Sequence, residues 1–250
     1  MVDFIINIRP EPDASRDVDW LQRYNVPAIA VPVMHAEQQP FNVPDAALFQ
    51  AIIFTSRHAV AALTDVFRHV SLRSLPVYAV GRNTALAARH AGFEQVTSGP
   101  GDGKGLLTLM TANLRQDAGK ILWPRASKIS FDIASHLIRF GFSVQQIPVY
   151  TMTPTASYAA NLSVRLDACS SAAVVAMSAR SMALFSEALD NQEFADQRKI
   201  ITVIAGSAPI AAAAGPGWAE IIVAKAPRRS RILAIATFVH RRQSMLPLKF

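Results

Sequence analysis

One cysteine, Cys169, stands among 250 residues, so an internal disulfide is excluded and no cysteine-based metal cage can be assembled. The six histidines do not fall at ligand spacing with other donors. Both absences point to a reducing, metal-free setting. Charged residues are scarce, at 17%, against 51% hydrophobic ones, the reverse of the balance found in disordered chains. No basic run precedes the first apolar segment, MVDFIINIRP, which carries Asp3, so that segment reads as a strand and not as a signal peptide. The longest uncharged stretch, Ile200 to Ala219, is interrupted by Gly206, Pro209, Gly215, Pro216 and Gly217 and therefore reads as strand, turn, short helix and turn instead of a membrane span. A soluble, cytoplasmic protein is expected.

What is present is positive charge. The net charge is +7, with arginine outnumbering lysine, which favours an anionic partner. Nucleic acid is the obvious candidate, but the basic residues are scattered, without zinc-finger, basic-zipper or RNA-recognition patterning, and a polyanionic small molecule fits as well.

Short runs rich in Val, Ile and Phe mark strands at Asp3 to Ile8, Ala28 to Val33, Ala51 to Phe54, Val77 to Val80 and Gln95 to Thr97. Others follow at Ile121 to Trp123, Ser143 to Val149, Ala172 to Ala176, Ile200 to Ile204 and Glu220 to Val223. Segments with helical spacing separate most of them, among them SRHAVAALTDVFRHV, NTALAARHAG and ARSMALFSEAL. This alternation predicts an α/β fold with parallel, doubly wound sheets.

The chain also echoes itself. Ser56 in FTSRHAV answers to Ser178 in AMSARSM, and Gly81 in VYAVGRNTALAA answers to Gly206 in TVIAGSAPIAAA, at nearly the same interval. Arg9 and Arg125, and likewise Pro32 and Pro148, repeat at one common interval of their own. The order is therefore A, B, A, B. Irregular Pro-containing stretches at Met34 to Pro44 and Thr151 to Ser157 read as linkers, whereas Leu114 to Lys120 reads as an ordinary turn. The order suits either a plain tandem cut near Gln116 or nesting, and the linkers favour nesting: residues 1–33 with 152–250 are expected to form one lobe and residues 34–151 an inserted second lobe, with a ligand cleft between the two.

In parallel sheets the strand C-terminal ends and the following helix starts line one edge, where free N–H groups and the helix dipole suit anions. Four corners have that form: Thr55-Ser56-Arg57, Gly81 with Asn83 and Thr84, Ser178 with Arg180 and Ser181, and Gly206-Ser207. Each corner taken singly reads better as a plain N-cap; four together, two per lobe, shift the weight towards anion binding. Arg9 and Arg125 each close the first strand of an A unit, where a guanidinium can grip a carboxylate. Tyr150, at a strand end beside the second linker, is either a proton-handling phenol or a boundary aromatic with its ring in the core. GPGDGKGLL, at Gly99 to Leu107, lacks the ending of a phosphate loop and reads as a flexible loop before a helix.

The stretches NIRP, IIFTSRHAV, VYAVGRNTALAARHAGF, GLLTLM, ILWPRAS, GFSVQQIPVY, VVAMSARSM and the Ala205-Gly206 turn, in that order, resemble uroporphyrinogen-III synthases through nearly the whole chain. The resemblance implies two doubly wound lobes in nested order and cofactor-free closure of hydroxymethylbilane, a linear tetrapyrrole polycarboxylate, to uroporphyrinogen III. Water is lost and the last pyrrole ring is inverted. It implies Tyr150 as the acid, with Thr84 a second polar candidate; the corners and arginines read above, Arg9, Thr55, Ser56, Arg57, Gly81, Asn83, Arg125, Ser178, Arg180, Ser181, Gly206 and Ser207, are then the expected substrate-binding set. A monomer is expected. The second Gly corner departs from the family pattern, with Pro209 where a threonine is usual. That departure leaves a non-catalytic anion-binding or regulatory protein of the same fold as the alternative.

Overall fold

The computed structural model describes residues 2–66, 71–156, 162, 165–190 and 195–242. These residues divide into two compact units, Met1–His35 with Thr153–Phe250, and Ala36–Met152. Residues 243–250 lie outside the described residues, as does Ser157.

The first unit holds strands β1 (Phe4–Asn7) and β2 (Ala28–Ala30), joined by helix α1 (Asp13–Arg23). It also holds strands from the far end of the chain: β9 (Ala172–Ala176), β10 (Ile201–Ala205) and β11 (Glu220–Val223). Their order in the sheet is β11-β10-β9-β1-β2, and every pairing is parallel. Parallel neighbours need crossover helices, and the amphipathic segments supply them. Helix α1 and the helix Arg229–Arg241, named α8, cover one face. Val18, Leu21, Ile232 and Ala236 there pack on Ile5, Val175 and Ile204. Helices α6 (Ala179–Asp190) and α7 (Ala208–Ala214) belong to the same unit.

The second unit repeats the plan. Strands β4 (Phe49–Phe54), β5 (Val77–Ala79), β6 (Val96–Ser98), β7 (Lys120–Ala126) and β8 (Val144–Pro154) run in the order β8-β7-β4-β5-β6, all parallel, with β3 (Met34–Gln38) outside β8. Successive residues of β4 serve opposite faces. Ile52 and Phe54 join the cluster under α2 (Arg57–Val66) and α3 (Arg82–His90), while Ala51 and Ile53 join that under α4 (Gly103–Asn113) and α5 (Ile133–Arg139). A strand buried on both faces has to read as a continuous apolar run, and AIIF does.

Two corrections to the sequence reading concern the segments taken as linkers. Met34–Gln38 is strand, and β8 continues to Pro154. Neither MHAEQ nor TMTP carries the Val/Ile enrichment that marks a strand, so composition hides them. They are held by backbone bonds from the Gln39 N–H to the Val149 carbonyl, 3.0 Å, and by a side-chain contact between His35 Nε2 and Thr153 Oγ1, 3.1 Å.

At the end of β1 a charged cluster ties three elements of the first unit together. Asp17 of α1 is fully buried; it accepts from Arg9 Nη1 at 2.8 Å, from Asn7 Nδ2 at 3.0 Å and from Arg229 Nε at the start of α8. A buried carboxylate is tolerated only when its lone pairs are filled in this way. We predict that Asp17→Ala, by removing the carboxylate that joins Arg9, Asn7 and Arg229, lowers unfolding stability by about 3 kcal/mol in urea titration; an unchanged midpoint would show that the cluster holds nothing.

Candidate functional site

Every helix-start corner expected from the sequence lies at the C-terminal edge of its sheet, because parallel pairing points all strand ends the same way. In the second unit Ser56 follows β4, Gly81 follows β5 and Arg125 closes β7. Tyr150 joins them on β8, and its position depends on a bulge. Arg125 pairs with Pro148 but Ala126 pairs with Tyr150, so Val149 is the extra residue. Pro148 has no N–H to offer the ladder, and a slip there re-aims the chain. Ile147 and Val149 point into the α2/α3 side of the core, and after the slip Tyr150 and Met152 do the same. Without the bulge the phenol would point to the opposite face.

Tyr150 is buried, at 6% exposure, and its phenol is hydrogen-bonded to the Ser56 side chain. Burial pushes its pKa above the ordinary tyrosine value, and the Ser56 bond pulls the other way. The phenol therefore keeps its proton at neutral pH. Ser56 is fixed in turn: its Oγ accepts the His58 backbone N–H at 3.1 Å, as an N-cap does. The His58 ring lies 5.6 Å from that of Tyr150, tilted by 48°. Burial, reinforced by the neighbouring Arg57 charge, lowers the His58 pKa, so its imidazole is neutral at neutral pH.

The remaining residues of this edge differ in what they offer. Thr55 Oγ1 accepts from the Nε1 of buried Trp123 at 3.3 Å and serves the core. Arg125 is held by neutral groups, the Gln146 Oε1 at 2.9 Å and the Ala126 and Ser127 carbonyls at 2.7 and 3.1 Å, over the Trp123 ring. None of these partners cancels its charge. Gly81, in extended backbone, opens α3, and a Cβ there would stand 3.1 Å from Gly101 Cα, so the Gly-rich loop packs directly on this corner. Arg82 and Asn83 are exposed, while Thr84 is buried.

In the first unit Ser178 caps α6, accepting the Ser181 N–H at 3.3 Å, and Arg180 is exposed. Gly206 is buried, and a Cβ there would lie 3.3 Å from Ile232 Cδ1. Ser207 opens α7, with its carbonyl accepting from Ile210 and Ala211 and its side chain making no cap bond. Pro209 falls in the first turn of α7, where an N–H has no helical partner to lose, so this departure leaves the corner intact.

Three sequence expectations change here. Arg9 does not offer a free guanidinium, because Asp13 and Asp17 engage both its Nη atoms. Ser181 is turned inward at 3% exposure, its hydroxyl on Met34 Sδ at 3.8 Å, and Thr84 is likewise covered at 7%. Both occupy the third position of their helices, which rotates towards the sheet, whereas the second positions, Asn83 and Arg180, face outward. His58 was not marked out by the sequence, since it has no carboxylate or cysteine partner at helical spacing. Its contact partner, Tyr150, is distant in the chain.

A depression of about 530 Å³ in the second unit is lined by Thr111, Leu114, Arg115, Gln116, Asp117, Phe140 and Phe142. These residues precede β7 and β8, so it opens at the edge opposite the corners. Among the described residues no group of three His, Cys, Asp or Glu is placed to hold a metal, and no helix is long and apolar enough to cross a membrane.

No curated protein sequence matches the chain. Among solved structures, uroporphyrinogen-III synthetase from Helicobacter pylori 26695 is 19% identical over 96% of this chain and 100% of its own, with a TM-score of 0.63. A mutant uroporphyrinogen III synthase from the extremely thermophilic bacterium Thermus thermophilus is 18% identical over 98% of this chain and 100% of its own, with a TM-score of 0.52. At such identities these likenesses establish the fold. The sequence profile described as uroporphyrinogen-III synthase HemD matches residues 18–234, which run through both units, and the chain accordingly belongs to the uroporphyrinogen-III synthase family.

Proposed function

We propose that the protein is a carbon–oxygen lyase that converts hydroxymethylbilane to uroporphyrinogen III, with loss of water and inversion of the last pyrrole ring. The family match across residues 18–234 carries this reading, laid over sheets whose ligand-binding edges are built from anion-suited corners. The substrate carries carboxylates along its length, so distributed N–H donors and positive charge suit it better than one strong site. Asn83, Arg125, Ser178, Arg180 and Ser207, together with the helix starts at Ser56 and Gly81, are the groups at those edges that can supply them. The net charge of +7 then serves a small polycarboxylate, not a nucleic acid. The same reading makes the protein a cytoplasmic monomer that uses no cofactor.

The chemistry asked of the protein is modest. The bond between the terminal carbon and its hydroxyl breaks, and that oxygen leaves as water after taking a proton. Tyr150 is the proposed donor, because its phenol is protonated at neutral pH and stands at the corner edge. Burial alone would make it a poor acid, and the Ser56 hydroxyl offsets this by stabilising the phenolate as it forms. Position is the other contribution: the two chain ends must be held for ring closure while water is kept out. Among the described residues the first unit shows no counterpart of this device. The residue that stands where Tyr150 does, counted by the Arg9-to-Arg125 interval, is Met34, which has no proton to give.

The deciding experiment is incubation with enzymatically generated hydroxymethylbilane, followed by oxidation and separation of isomers. Type III product is expected, and exclusive type I product would overturn the assignment. Tyr150→Phe is expected to lower kcat by roughly 10²- to 10⁴-fold with KM little changed, and wild-type turnover would remove Tyr150 from the acid role. Arg125→Glu is expected to raise KM, more steeply at low than at high salt. Arg9→Glu should instead lower the unfolding midpoint, because its guanidinium already serves Asp13 and Asp17. A salt-independent KM in the Arg125 variant would place substrate capture elsewhere.

A further inference from the structure

Resting on the reading of Tyr150 as the acid, we propose that His58 is a positioning residue for the reaction, its imidazole walling the Tyr150 ring and holding the phenol on the Ser56 hydroxyl. Three observations carry this. The rings are in tilted contact at 5.6 Å, a geometry that favours aromatic pairs. The backbone N–H of His58 donates to Ser56 Oγ, so one residue fixes both the ring of the acid and the hydroxyl that faces it. The third observation is internal to the chain. Counted by the Ser56-to-Ser178 interval, His58 corresponds to Arg180, which is exposed and lies in the unit where Met34 replaces the phenol. Where the phenol is lost, the ring that walls it is lost as well, although the Ser cap at the same corner is kept.

The imidazole suits the task because it is neutral. A cation against the phenol ring would compete for the substrate carboxylates, and burial beside Arg57 keeps the imidazole uncharged at neutral pH. His58 touches no reacting atom in this scheme and acts only through Tyr150. Its removal therefore lets the phenol swing off Ser56 without altering the anion-binding groups.

A double-mutant cycle in kcat tests this, with thermal unfolding of each variant as a check on folding. His58→Ala is expected to lower kcat roughly three- to tenfold, the range an aromatic pair contributes, with KM unchanged. His58→Phe, which keeps a neutral ring in place, is expected to restore most of that loss. In the Tyr150→Phe background His58→Ala should cost nothing further, which a merely structural role would not produce. Wild-type kcat for His58→Ala, or the same fold loss in both backgrounds, overturns the proposal and leaves Tyr150 as the acid if Tyr150→Phe is slow. Wild-type turnover by Tyr150→Phe would remove the acid reading and this inference with it.

Discussion

Parallel strand pairing is the constraint from which the rest of this structure follows. A strand can pair in parallel with the next only after a crossover, so each strand end is followed by a helix start, and all of them fall on one edge of the sheet. In each unit the Ser- and Gly-bearing corners are therefore gathered at one edge of that unit's own sheet. In the second unit the same rule places Arg125 and Tyr150 beside Ser56 and Gly81, since β7 and β8 end on that edge. Helices on both faces in turn demand strands apolar on both sides, and the runs AIIF and AAVVA meet that demand.

The repeat built on this plan is alike in backbone and unlike in electrostatics. Arg9 and Arg125 occupy matching strand ends. Asp13 and Asp17 neutralise the first, whereas the residues at the same interval in the second unit are Ile129 and Ile133. The first arginine thus became part of a buried cluster that joins β1, α1 and α8, and the second kept its charge at the edge. Tyr150 and Met34 diverge in the same sense. One unit holds a phenol fixed on Ser56, and the other sets a thioether against the hydroxyl of Ser181. The scaffold occurs twice, and the side chains place a buried ion cluster in one copy and a buried phenol in the other.

Much of the fold could be read directly from the chain. The alternation of Val/Ile-rich runs with amphipathic segments located ten strands to within a few residues, and matched intervals between Ser56 and Ser178 or Arg9 and Arg125 pointed to a duplicated plan. What escaped was β3 and the end of β8, because MHAEQ and TMTP have neither the period nor the composition of a strand; they pair because each finds the other across more than a hundred residues. The site was legible as a set of corners but not as a ranking of side chains. Thr84 and Ser181 sit in the same motifs as Asn83 and Arg180, yet one helical position turns the first pair inward and the second outward.

The sequence by itself determined the α/β class, the repeated order of elements and the types of residue at each corner, because periodicity and turn chemistry are local and survive without knowledge of what lies nearby. The tertiary structure alone decided which arginine keeps its charge for the edge, which face Tyr150 serves and that His58 stands against it. Those outcomes depend on a one-residue slip at Pro148 and on carboxylates brought in from another turn of chain, and such distances are fixed only when the sheet has formed.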